Sequence, residues 1–207
     1  MEKKIDYKKK LKEFYAPSPK APVIVPVPAF HFLMIDGEGS TDSAPFADAI
    51  GSLFTVSYKS KFMIKKQTLT DYAVMPLEGL WWADDMNDFV TYNKSKWKWT
   101  LMIMQPEFVS GDTIGEAIDA AKKKENTQAL EHLRFSSFAE GTCAQIMHIG
   151  PFSDEHPNIM KLHRLIEEQG GSFAGKSQKH HEIYLNDFRK VDPSKMKTIL
   201  RQPFSLK

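Results

Sequence analysis

The stretch with the most chemistry in it is His180 to Leu185, HHEIYL. A strand has a side-chain period of two, so His180, Glu182 and Tyr184 point one way while His181, Ile183 and Leu185 point the other. Ile183 and Leu185 suit a helix-covered face, which leaves Glu182 and Tyr184 on the opposite one. On open water that pair does nothing. In the wall of a pocket it is an acid beside a phenol. The carboxylate can take a proton from water or pair with a cation, and the hydroxyl can donate to an oxygen that gains charge. A carboxyl among apolar rings also has its pKa raised, which suits acid-base work.

Further candidates lie elsewhere in the chain. Glu78, in PLEGLWW, shares a face with Leu80 and Trp82 on regular alternation, although Pro76 and Gly79 disturb that parity. It is either a second cleft carboxylate beside Glu182, one of the two kept protonated, or a surface partner for a lysine. Trp81 and Trp82 point oppositely, so one of them faces the cleft, where stacking on a planar ligand contributes about 1–3 kcal/mol per ring. Trp97 and Trp99, followed by Leu101 and Ile103, read as core under a helix.

His148, Phe152, Asp154, Glu155 and His156 flank Gly150-Pro151, a turn that shapes the edge of a cleft. No metal site is expected there, and His180 and His181 cannot both chelate one ion from a regular strand. Met104, with Met63, Met75, Met102 and Met147, offers either a forgiving ligand surface or core. Cys143, the single cysteine, alternates with Gln145 and Met147 as a small buried hydrophobe and excludes an internal disulfide.

These residues need elements to hold them. A basic amphipathic helix is expected over Lys3 to Tyr15, then a proline-spaced extended segment, Pro17 to Pro28, with an edge strand at Val23 to Val27. Strand Phe30 to Asp36 is followed by a helix capped near Asp42-Ser43 and running to about Lys59. Strands follow at Tyr72–Met75 with Leu77–Trp82, and at Trp97–Met104. Helices Thr113–Lys124 and Thr127–Leu133 lead to a strand over Phe138–Ile149, a helix over Pro157–Gln169 and the strand at His180. The tail from Pro193 opens with a helical turn and ends loosely. The order repeats a strand-helix-strand-strand plan, with halves at about 29–110 and 111–207 after a separate segment 1–28.

The 207 residues suffice for one large domain, and 42% hydrophobic with 26% charged residues is an ordinary soluble composition. A net charge of +2 gives no electrostatic case for direct nucleic acid binding. No run approaches the roughly 18 apolar residues of a membrane span, and the Lys-rich start lacks a signal peptide's apolar segment, so a cytoplasmic location is expected. Aromatics are unusually frequent at 12%.

The runs PLEGLWW (Pro76–Trp82), HIGPFSDE (His148–Glu155), KLHRLIEEQG (Lys161–Gly170), HHEIYLNDFRK (His180–Lys190) and TILRQP (Thr198–Pro203) resemble the GyrI-like small-molecule-binding proteins. The likeness spans about Pro22 to Pro203 and is nearest the stand-alone branch that lacks a DNA-binding domain. It implies an α+β fold of two pseudo-symmetric strand-helix-strand-strand modules. These form a curved antiparallel sheet with helices on the outer face and an aromatic ligand cleft between the halves.

It also implies a planar, lipophilic ligand and, for some members, hydrolysis of cyclopropane-bearing alkylators by water addition. Glu182, Tyr184 and Glu78 would then be catalytic, with Trp82, Trp81, Met104, His148, Phe152 and His180 lining the substrate. No cofactor is needed for that chemistry. The rival readings are a non-catalytic binding protein that senses or sequesters its ligand, and a haem-carrying relative with an accessible axial histidine. The sequence leaves monomer and homodimer equally open.

Overall fold

The computed structural model describes residues 4–124 and 127–206. Six strands are organised into one antiparallel sheet: β1 (Val23–Glu38), β2 (Leu77–Trp82), β3 (Lys98–Gln105), β4 (Arg134–Ile149), β5 (His180–Tyr184) and β6 (Lys197–Pro203). Their order is β1-β3-β2-β5-β6-β4, and pairing of β4 with β1 closes the sheet into a barrel. Three longer helices accompany them: α1 (Ala44–Thr68), α2 (Gly111–Lys122) and α3 (His156–Glu168). β1-α1-β2-β3 and β4-α3-β5-β6 have the same connectivity. The two modules meet through β2 with β5 and β1 with β4.

Local chemistry accounts for most of these elements. Ser43 caps α1 by accepting from the Phe46 amide, Pro45 sits in the first turn, and Leu69 ends the helix in a left-handed conformation at φ 60°. Ser110 caps α2 by accepting from the Thr113 amide. Residues 23–29 of β1 pair only with β4, so Pro26 and Pro28 sit where no second neighbour needs their missing N–H.

The helices lie outside the barrel. Phe46 of α1 meets Trp99 edge-on with centroids 5.1 Å apart, which places Trp99, Leu101 and Ile103 on the helix side as expected. Gly37 is what allows this, because a Cβ there would overlap the Trp99 ring. In the second module Ala144, Ile146 and Leu200 pack against Leu162 and Ile166 of α3. Each fully buried aliphatic side chain of this kind contributes about 1.5–3 kcal/mol. By strand parity Phe32, Met34, Met102, Met104, Ile183 and Ile199 fill the barrel interior.

Four expectations are corrected. Ile183 points into the barrel; its neighbours Glu182 and Tyr184 lie on the side that carries the helices, since Leu200, paired with Glu182, packs on α3. The N-terminal stretch is two single helical turns, Tyr7–Lys10 and Lys12–Tyr15, and Lys3 lies outside the described residues. Its Tyr7, Phe14 and Tyr15 are buried against the barrel while Lys9, Lys10 and Lys12 are exposed, so the amphipathic division holds although the single helix does not. The tail holds a central strand, β6, paired on both edges. Both faces of β6 are buried, so its sequence shows no alternation of polar and apolar residues to mark it. Tyr72–Met75 adds only a single bridge, Tyr72 to Ile5, before Pro76.

Candidate functional site

The helix-side face of the seam between β2 and β5 gathers Trp81, His180, Glu182 and Tyr184. Gly79 pairs with Glu182, Trp81 with His180 and Leu77 with Tyr184, so all six side-chain positions share that face. The Tyr184 hydroxyl donates to Glu182 Oε2 at 2.8 Å and accepts from Trp81 Nε1 at 3.0 Å. Gly79 leaves the room for this: a Cβ there would lie 2.8 Å from Trp81 Nε1 and 3.2 Å from the Tyr184 hydroxyl. Burial and the adjacent Glu182 carboxylate push the Tyr184 hydroxyl well above its ordinary pKa, so it stays a donor. His180 Nε2 is 3.5 Å from Glu182 Oε1 and has no hydrogen-bond partner among the described residues. The Glu182 side chain keeps 17% of its surface exposed.

Aromatic rings wall this cluster. Phe152 and Phe188 each meet Tyr184 edge-on, with centroids at 5.8 and 5.3 Å. Beyond Tyr184 a groove of about 480 Å³ runs between α1 and the loop after β5. Phe54, Tyr58, Met75, Leu77, Tyr184 and Phe188 line it, and Lys8, Arg189 and Lys190 stand at its rim. That volume lies in the range of small-molecule sites, about 300–1,000 Å³.

One neighbour was named in the sequence only as part of the cluster around the Gly150-Pro151 turn, with no chemical role. Glu155, the residue before α3, is 5% exposed, and its Oε1 has no hydrogen-bond partner among the described residues. Burial, and then the negative charge of Glu182, push its carboxyl up to about 10, against a smaller opposing effect of the Thr198 hydroxyl. Thr198 pairs directly with Tyr184 on this face. Nothing in the string FSDEHP marks Glu155 over Asp154; only the fold turns one inward.

The remaining candidates fall elsewhere. Glu78 is fully buried on the opposite face of the sheet, paired in register with Ile183, so it does not join Glu182. Its Oε1 accepts from the Tyr15 hydroxyl at 2.8 Å and its Oε2 lies 3.0 Å from His181 Nε2. His181 Nδ1 is 2.9 Å from Glu140, and Glu140 is bound by Arg201 at 2.8 Å. Arg201 also donates to Gln145 Oε1 and to the Phe14 carbonyl, tying the N-terminal turns to the barrel end.

Met104 is buried in the barrel interior. Trp82 faces that same side of the sheet, with Lys179 Nζ 3.4 Å from its ring centroid. His148 lies within 3.1 Å of both the Pro151 carbonyl and Asn158 Nδ2, bracing the turn before α3. Cys143 is buried, and burial raises its thiol pKa, as expected of a small core residue. Of the nine candidates, Glu182, Tyr184, Trp81, His180 and Phe152 are brought together; Glu78, Trp82 and Met104 are not, and His148 sits behind the turn.

The fold and this site define a small-molecule-binding α+β barrel with its cleft at the module seam. The model of the GyrI-like small molecule binding domain matches residues 20–203, and the chain belongs to that family. No curated protein matches the chain. Among solved structures, an uncharacterized conserved protein from Listeria innocua is 40% identical, with a TM-score of 0.88 over 98% of this chain and 100% of that one. A hydrolase from the same organism is 38% identical, with a TM-score of 0.83 over the same shares. The C-terminal domain of EcmrR, 12% identical with a TM-score of 0.55 over 90% and 98% of the chains, shares the fold. Among the described residues no helix is long and apolar enough to cross a membrane.

Proposed function

We propose that the protein is a hydrolase that binds a planar, lipophilic compound in the groove over Tyr184 and opens a reactive ring in it with water. Cyclopropane-bearing alkylators are the substrate class. Glu182 takes the proton of the attacking water. Tyr184 holds and orients that carboxylate, and the surrounding rings keep competing water out.

The observation that carries this reading is a carboxylate, Glu182, that accepts from a phenol, Tyr184, which is itself held by the Trp81 indole and lines an aromatic groove. Support also comes from the 38% identity, over 98% of this chain, to a protein described as a hydrolase. In the free protein the Tyr184 proton is committed to Glu182. A separate donor is therefore needed at the oxygen that gains charge.

The test is product analysis with excess cyclopropane-bearing alkylator. Wild type should release a ring-opened water adduct over many turnovers, and Glu182→Gln should be slower by about 10²–10⁴-fold. Stoichiometric binding with no product above the buffer rate would overturn the hydrolase and leave a sequestering protein.

A further inference from the structure

The three principal helices do not begin alike. α1 and α2 are capped by serine side chains, whereas α3 has Glu155 at its N-cap and no side-chain capping bond at all. The backbone there leaves a side-chain cap nothing to do: Glu155 is itself helical, Pro157 has no N–H, and the Asn158 and Ile159 amides donate to the Glu155 carbonyl. Its side chain is buried, one oxygen is unpartnered, and Glu182 and Tyr184 are near enough for its charge state to depend on Glu182 and to act on Tyr184. A buried carboxyl with an unsatisfied oxygen and no capping bond to make points to a ligand.

We propose that Glu155 is the proton donor of the site, with Glu182 as its ionised partner. This rests on the hydrolase reading above and adds the second half of its chemistry. In the step, the water oxygen bonds to a ring carbon as the ring C–C bond breaks. The electron pair of that bond moves through the conjugated system to the carbonyl oxygen. Glu182 accepts the proton from water, and Glu155 gives its proton to that oxygen. The net change is addition of one water. Afterwards the proton on Glu182 returns to Glu155, which resets the pair. Other groups on this face do not replace Glu155. Tyr184 donates to Glu182, Thr198 is a neutral hydroxyl, His148 is engaged by Pro151 and Asn158, and His180 stands beside Glu182.

The experiment combines infrared spectroscopy of the free protein with kinetics on the alkylator. Wild type near neutral pH should show the C=O stretch of a buried protonated carboxyl, and Glu155→Gln should lack it. Glutamine copies the shape and neutrality of a protonated carboxyl, so folding and KM should be retained while kcat falls by about 10²–10⁴-fold and the alkaline limb of the pH–rate profile disappears. Glu155→Ala should regain activity when formate or acetate is supplied, which a purely structural residue would not show.

A Glu155→Gln variant with wild-type kcat and an unchanged alkaline limb overturns the donor role, while turnover by wild type keeps the hydrolase. A missing carboxyl band in wild type also overturns it. If wild type makes no product, the hydrolase reading fails first and the donor role with it.

Discussion

β5 carries two polar clusters, one on each face, and they are built in opposite ways. On the barrel side His181 and Arg201 alternate with Glu78 and Glu140, and each charge has an opposite charge within 3.0 Å. Burial alone would neutralise such groups, but the pairing wins. His181 is raised and Glu140 is held down at about 2 despite complete burial. On the helix side, one residue along, burial and the charge of Glu182 keep Glu155 protonated, and Glu155 Oε1 and His180 Nε2 have no partner among the described residues. The first cluster is balanced in charge, although Glu78 Oε2 and His181 Nε2 make no hydrogen bond among the described residues, and it holds the N-terminal turns to the barrel. The second gathers two carboxyls without a strong counter-charge, next to a groove. Buried charge balanced by opposite charge reads as structure, and carboxyls crowded together beside a groove read as a candidate site.

The largest effect that separates the two should come from Arg201→Met. It leaves Glu140 without its guanidinium partner and should cost about 3–5 kcal/mol of unfolding free energy in a denaturant titration. Glu182→Gln should behave oppositely, leaving stability unchanged, because it strands no opposite charge in the interior. Gly79→Ala adds a Cβ against Trp81 and Tyr184. It should leave the barrel folded but shift the Trp81–Tyr184–Glu182 chain, lowering turnover by up to about 10²-fold.

The smallest effect is in pH. The two buried carboxyls work with opposite sign. Glu140 has a depressed folded pKa of about 2, so its stabilisation is present above its ordinary value of 4.5 and is lost as pH falls toward 2. Glu155 has a raised folded pKa of about 10. Its contribution is full below 4.5 and is lost as pH rises from there toward 10. His181, also raised, adds to that alkaline loss from its ordinary 6.5 upward. Stability against pH for Glu155→Gln should therefore be flatter than wild type between about pH 5 and 9, while Glu140→Gln should flatten the acid side and, because Glu140 is what chiefly raises His181, also reduce the alkaline loss above 6.5.

Much of this was legible in the sequence, because periodicity and punctuation mark it. The module plan, the cap at Ser43, and the shared face of Glu182 and Tyr184 follow from spacing. What spacing could not supply was which face met the helices. Ile183 looks like helix-covered core, yet the barrel interior is equally apolar, and a period of two cannot tell one buried side from the other. The same ambiguity placed Glu78 beside Glu182, when the register of β2 and β5 sets them on opposite sides. β6 was hidden because Arg201 and Gln202 read as solvent-facing, and only long-range partners such as Gln145, Glu140 and Gln178 make their burial affordable. Glu155 was hidden for a related reason: its burial comes from strands distant in sequence, those of Glu182 and Thr198.

The most direct measurement is turnover per folded molecule for Glu182→Gln and Glu78→Gln side by side, with unfolding free energy measured on the same samples. Glu182→Gln should keep its stability and lose turnover by about 10²–10⁴-fold, while the folded fraction of Glu78→Gln should turn over at close to the wild-type rate despite lower stability. The reverse pattern, with Glu78→Gln folded but inactive and Glu182→Gln active, would contradict the assignment of the helix-side cluster as the reactive one.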